Sequence, residues 1–140
     1  MALTSVRDYY RDRMNSLNYN EWKDGFNFDN IPQTRYERAY HIETGSIAGN
    51  PADNRAFKYD YPMTVRVFLK GFRDPASAID NAVAQAEVIQ ADILKESNRL
   101  GTEIKTITPN SIDISPRDES NDNDIILTMT FTTTVICFFS

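Results

Sequence analysis

The chain has 140 residues with a hydrophobic fraction of 41%, a charged fraction of 25% and a formal net charge of -5. This length accommodates one core and not two, so a single domain over residues 1–140 is expected, and the composition is that of a globular protein rather than a disordered one. The acidic balance and scattered Lys and Arg argue against a grip on a phosphate backbone. The single cysteine excludes an internal disulfide or a cysteine metal cluster within one chain and makes a reducing cytoplasm the expected compartment.

The opening MALTSVRDYY has neither the basic lead nor the apolar run of a signal peptide. No stretch of the chain reaches the roughly 18 apolar residues of a membrane helix, so neither export nor membrane insertion is expected. Ser5-Val6-Arg7-Asp8 fits a capping box, and Val6, Tyr9, Tyr10, Met14 and Leu17 recur at helical spacing, predicting a helix that ends near Leu17. The segment from Asn18 to Gln33 mixes turn formers with Tyr19, Trp22, Phe26, Phe28 and Ile31 and has no clean period. It predicts a loop whose aromatics either pin it to the core or face a partner.

Thr34 to Ile42 alternates as a strand, with Tyr36, Arg38, Tyr40 and Ile42 on one side. The small and turn-forming residues of Gly45 to Asn54 predict a mobile hairpin loop. Phe57, Tyr59, Tyr61, Met63, Val65, Val67 and Leu69 then occupy every second position of a strand with one dry face. Pro62 lies within it and must mark a bulge or an unpaired edge, since proline donates no ladder hydrogen bond.

Asp74-Pro75 opens a long helix expected to run to about Ser97, with Ile79, Ala82, Val83, Ala86, Ile89, Ile93 and Leu94 on its buried face and Gly101 as its stop. Ile104 to Ile114 is broken by Pro109-Asn110 and reads as two short strands or one bent strand. The polar, acidic run from Ser115 to Asp124 predicts a solvated hairpin tip.

The clearest alternation is the last: Ile125, Leu127, Met129, Phe131, Thr133, Val135, Cys137 and Phe139 against a face containing Thr128, Thr130, Thr132 and Thr134. At ~3.3 Å per residue such a strand spans about 50 Å. A compact domain of this size is only about 37 Å across, so the strand is expected to bend or project. The order α-β-β-α-β-β predicts an α+β fold, a largely antiparallel sheet with helices packed on one face.

No chemistry-bearing motif emerges. His41 is the only histidine, neither GxGxxG nor a P-loop occurs, and Asp118, Glu119, Asp122 and Asp124 lack EF-hand spacing. Cys137 lies among apolar positions and reads as a small hydrophobe. Catalytic, cofactor and metal residues are therefore expected to be none. The overlong strand and its threonine face point instead to assembly, with Thr128, Thr130, Thr132 and Thr134 as the candidate subunit interface. A bent strand whose threonines merely meet water is the competing reading.

In its layout the chain resembles the tail terminator, or tail completion, proteins of long-tailed bacteriophages. The resemblance rests on a short N-terminal helix, a loop ending in DNIPQT, the strand RYERAYHI, a glycine-rich loop, the strand YDYPMTVRVFLKGF, the helix from Asp74 and the closing strand IILTMTFTTTVICFF. It covers nearly the whole chain and includes no diagnostic motif. It implies a ring of identical subunits, usually a hexamer, that caps the tail tube protein, contacts the head-side neck or connector protein, passes DNA only as cargo and has no enzyme activity. The implied location is the tail and neck region of the virion, after assembly in the host cytoplasm. Another neck or tube component is the nearest rival, and a small-ligand-binding or catalytic α+β domain is a rival of a different class.

Overall fold

The computed structural model describes residues 2–22, 38–53, 56–69, 74–116 and 124–138. Helix α1 covers Ala2–Ser16. It is followed by the two-residue strand β1 (Asn20–Glu21) and by strands β2 (Arg38–Thr44), β3 (Ala48–Asp53) and β4 (Ala56–Leu69). Helix α2 (Pro75–Leu94), the single turn α3 (Glu96–Arg99) and strands β5 (Ile104–Pro116) and β6 (Ile125–Phe138) complete the fold.

The fold is α+β. Its six-stranded sheet has the order β1-β2-β4-β6-β5, with β3 also paired to β4. Every pairing is antiparallel except the short parallel contact of β1 with β2.

One face of the sheet and the inner sides of α1 and α2 form the main core. Val6, Tyr9, Tyr10 and Met14 come from α1, and Ala78, Ala82, Ala86, Ile89 and Ile93 from α2. Tyr40, Met63, Val65, Val67, Leu127, Met129 and Phe131 come from the strands. Burying a side chain such as Ile89 or Ile93 contributes roughly 2 kcal/mol, so the stripe on α2 is what seats that helix. The alanines between these residues bring its backbone close to the sheet. A smaller buried cluster, Ala39, Phe68 and Ile126 with Trp22 against it, lies on the opposite face.

Several expectations are corrected. Helix α1 begins at Ala2, so Ser5 sits inside it rather than capping it; Ala2 and Leu3 are strong helix formers and extend the helix backwards. Gly45 to Asn54 is not simply a loop, because residues 48–53 form β3. Strand β2 pairs with β4 only from Met63 to Leu69, and β3 takes up the same edge of β4 from Ala56 to Asp60. Glycine makes this second pairing feasible: a Cβ at Gly49 would lie 3.0 Å from Cε1 of Tyr59, whose ring occupies that space.

Helix α2 ends at Leu94, where Lys95 turns extended (φ -64, ψ 118), and the remaining residues to Arg99 form the separate turn α3. Its buried face is the 78-82-86-89-93 register, so Ala78 is inside while Ile79 and Val83 are exposed. The element order is also richer than α-β-β-α-β-β by β1, β3 and α3. Residues 23–37, 54–55, 70–73, 117–123 and 139–140 lie outside the described residues. The expectations for Phe26, Phe28 and Ile31, for Thr34 to Glu37, and for most of the acidic tip fall there.

Pro62 satisfies the unpaired-edge reading. Its carbonyl accepts from the amide of Gly45 at 2.9 Å, so this residue's backbone polar groups point toward the β2/β3 side. On that side the register of β2 stops at Met63 and that of β3 starts at Asp60. The missing N–H therefore falls where no strand residue needs it. A Cβ on Gly45 would approach Cγ of Pro62 to 3.0 Å, so this crossing also depends on a glycine.

Candidate assembly surface

Strand β6 neither projects nor lacks partners. All fourteen of its residues pair with β4, from Ile125 opposite Leu69 to Phe138 opposite Ala56. Its other side pairs with β5 from Ile125 to Val135, with irregularities between Ile104 and Thr106 and between Pro109 and Ser111. The proline in Ile104 to Ile114 thus produces one irregular strand, not two. The length of β6 is matched by an equally long β4, and its second ladder is filled by β5 as far as Val135.

The four threonines lie together on the sheet face opposite α1 and α2, and most of their hydroxyls are engaged there. Thr130 Oγ1 shares a 2.6 Å hydrogen bond with Ser111 Oγ, and Thr132 Oγ1 accepts from Asn110 Nδ2 at 2.8 Å. Thr134 is only 8% exposed and donates to Asp60 Oδ1 at 2.7 Å. The Thr128 hydroxyl has no hydrogen-bond partner among the described residues. These cross-strand bonds stiffen the outer face and align β4, β6 and β5. Thr133 points the other way into the core, where its hydroxyl meets that of Tyr10 at 2.6 Å.

His41, Tyr9 and Tyr40 are held by hydrogen bonds within the fold. His41 Nδ1 lies 2.9 Å from the Trp22 carbonyl, tying β2 to the end of β1. For Cys137, only the backbone pairing with Phe57 is described. Tyr9 donates to the carbonyl of Ile93 at 2.6 Å, and Tyr40 donates to Oδ1 of Asn15 at 2.8 Å. Burial raises the pKa of both phenols, that of Tyr40 to about 12, with Glu21 raising it further and Arg11 opposing. Burial also pushes the Tyr10 hydroxyl well up, against the lowering effect of its bond to Thr133.

A recess of about 390 Å³ lies between α1 and the turn after α3, lined by Asp8, Asp12, Arg13, Asn98 and Glu103 among others. Asp8 and Asp12 are exposed on α1 and Glu103 is exposed on the turn, so these carboxylates remain solvated. Among the described residues no group of three or more His, Cys, Asp or Glu side chains could hold a metal ion. No helix among them is long and apolar enough to cross a membrane.

The surface that sequence reasoning missed is the far edge of the sheet. Strand β5 runs for thirteen residues, and among the described residues no strand pairs its outer side. Helix α2 packs on β5 and β6, while α1 packs on β1, β2 and α2. Gln85 and Asp92 mark the flank of α2 turned toward α1, through bonds to Tyr19 and Arg13. At 100° per residue, Ile79 and Val83 lie on the opposite flank, toward the β5 edge. They are 49% and 42% exposed, and Ile112 on the helix side of β5 is 41% exposed. The missing signal was the competing register through Ala78, which buries the same number of turns with smaller side chains and frees Ile79 and Val83.

No protein-family model matches this sequence, and no curated protein matches it either.

Proposed function

We propose that this chain is a structural subunit of a phage virion, one that caps the tail tube, ends its polymerisation and joins the tail to the head-side connector as a ring of identical copies. The observation that carries the reading is the open edge of β5 beside the exposed Ile79, Val83 and Ile112. A thirteen-residue strand whose outer side no strand pairs among the described residues, with an adjoining apolar flank, is a surface suited to protein contact. The layout that resembles tail terminators supplies the specific role, and the threonine face around Thr128 offers a second surface to the neighbouring layers. The ring number comes from the resemblance alone.

The test is binding of the purified chain to preformed tail tubes, viewed by negative-stain imaging. Density at one end only, together with arrest of further tube growth, is the expected result. Self-polymerisation into long tubes would assign the chain to the tube instead. A chain that stays monomeric and binds neither tubes nor neck proteins would overturn the reading. A large, saturable thermal stabilisation by one metabolite would favour a ligand-binding domain.

A further inference from the structure

The β5/α2 edge has a charge character that limits what it can meet. Helix α2 contains Asp80, Glu87 and Asp92 and no Lys or Arg in its twenty residues. Asp80 and Glu87 are exposed beside Ile79 and Val83 and have no ion pair among the described residues. A two-fold contact centred on Ile79 and Val83 would bring the Asp80 and Glu87 carboxylates of both copies together, which like-charge repulsion penalises. The partner surface must therefore combine apolar area with an unanswered positive charge.

The opposite edge of the same molecule has both. Arg7 and Arg11 lie one turn apart on α1, and Arg11 Nε donates to Glu21 at 2.6 Å, so this flank of α1 faces β1 at the other end of the sheet. Glu21 and Asp8 answer Arg11, and Asp92 answers Arg13. Arg7 has no ion pair among the described residues, and its Nε is shielded from solvent without an acceptor. At the end of β1 on this same edge, but on the sheet face away from α1, Trp22 is partly exposed. Tryptophan and arginine are the side chains most often found at the energetic centre of protein interfaces.

We propose that copies of this chain join head to tail, the Ile79–Val83 flank of α2 and the outer side of β5 in one copy covering the Arg7 and Trp22 side of the next. Asp80 and Glu87 then answer Arg7 across the contact. Such a contact uses two different surfaces and propagates in one direction, closing into a ring when the rotation per subunit allows. The inference rests on the reading of the chain as a self-assembling subunit and adds which surfaces meet and in what sense.

Trp22 is the only tryptophan, so its emission reports burial of this surface directly. Association of the full chain, alone and on tail tubes, is measured by sedimentation velocity together with Trp22 fluorescence. The blue shift of Trp22 on assembly is the first expected result. D80K/E87K and R7E should each weaken association about tenfold while thermal midpoints stay near that of the unaltered chain, and the combined D80K/E87K/R7E chain should recover most of that loss. Charge reversals without effect, a combined variant as weak as its parents, or Trp22 emission unchanged on assembly would each overturn the head-to-tail contact. Should the unaltered chain cap tubes as a ring while the reversals stay silent, only this contact fails. Should it never associate, even on tubes, the structural-subunit reading fails with it.

Discussion

Replacing Tyr10 by Phe tests how α1 is fastened to the closing strand. Tyr10 and Thr133 are both fully buried, and their hydroxyls meet at 2.6 Å. The ring itself packs edge-on to Tyr9 at 5.7 Å and against Phe131 at 5.8 Å, contacts that phenylalanine preserves. What Tyr10→Phe removes is one buried hydrogen bond, and what it leaves is a threonine hydroxyl with no partner. A net bond contributes about 1 kcal/mol and an orphaned buried hydroxyl costs about as much again, so the loss should be about 2 kcal/mol. Thr133→Val orphans the phenol instead and should cost a similar amount. The double substitution loses the bond once and leaves no orphan, so it should cost only about 1 kcal/mol, less than the sum by about 3 kcal/mol. With about 2.1 cal/mol/K of unfolding entropy per residue, each single change lowers the melting temperature by about 7 °C. Denaturant titrations of the four chains, followed by circular dichroism, close the cycle. Additive losses, or a Tyr10→Phe chain within about 0.5 kcal/mol of the original, would refute the claim that this pair couples helix to sheet.

Stability should fall at alkaline pH. The folded-state pKa of Tyr40 is raised to about 12 from an ordinary 10.0, chiefly by burial, so its contribution is complete below about pH 10 and is lost as pH rises toward 12. Tyr9 and Tyr10 shift in the same direction. A Tyr40→Phe chain should show a shallower alkaline loss in denaturant titrations, and an unchanged slope would refute the assignment. On the outer face, Thr128→Lys with Thr130→Lys should leave the melting temperature within a few degrees, since both positions are partly exposed, and should abolish tube-end binding. Full binding by that folded variant would remove the threonine face from the assembly.

Much of the fold was legible because burial on one side writes a period into a strand. Met63, Val65 and Val67 alternate with Thr64 and Arg66, and the structure buries the first set completely. The N-cap at Asp74 was equally visible: its carboxylate accepts from the Ala76 amide at 3.2 Å and the Ser77 hydroxyl at 3.1 Å. The failures share a different cause. Strand β3 contains glycine and proline, and its pairing follows from an uncovered length of β4 far from any local preference. On α2 the buried positions Ala82, Ala86, Ile89 and Ile93 were legible, but Ile79 and Val83 were placed inside and Ala78 was not, because Ala78 and Ile79 both fit a helical stripe and only packing partners choose between them. The β5 edge left no trace in its own residues, since being an edge depends on strand order.

The threonine strand shows how strand order changes a functional argument. As an isolated fifteen-residue alternation, β6 invites the inference that its length needs a neighbouring subunit. Placed between β4 and β5, it is paired along its whole length on one side and from Ile125 to Val135 on the other, and Thr130, Thr132 and Thr134 spend their hydroxyls on Ser111, Asn110 and Asp60. Among the described residues the strand side without a partner lies one strand outward, on β5, beside Ile79 and Val83 of α2. A lateral contact at that edge would lengthen the sheet or press on its helix layer, leaving the threonine face perpendicular to the direction of growth. The proposed assembly would give the two surfaces separable tasks: the edge for like subunits, and the threonine face for whatever stacks on the assembled layer. Substitutions at Asp80 and Glu87 should change association between copies, whereas those at Thr128 and Thr130 should change docking of the assembled copies onto a tube. The division fails if one set of substitutions abolishes both activities in folded protein.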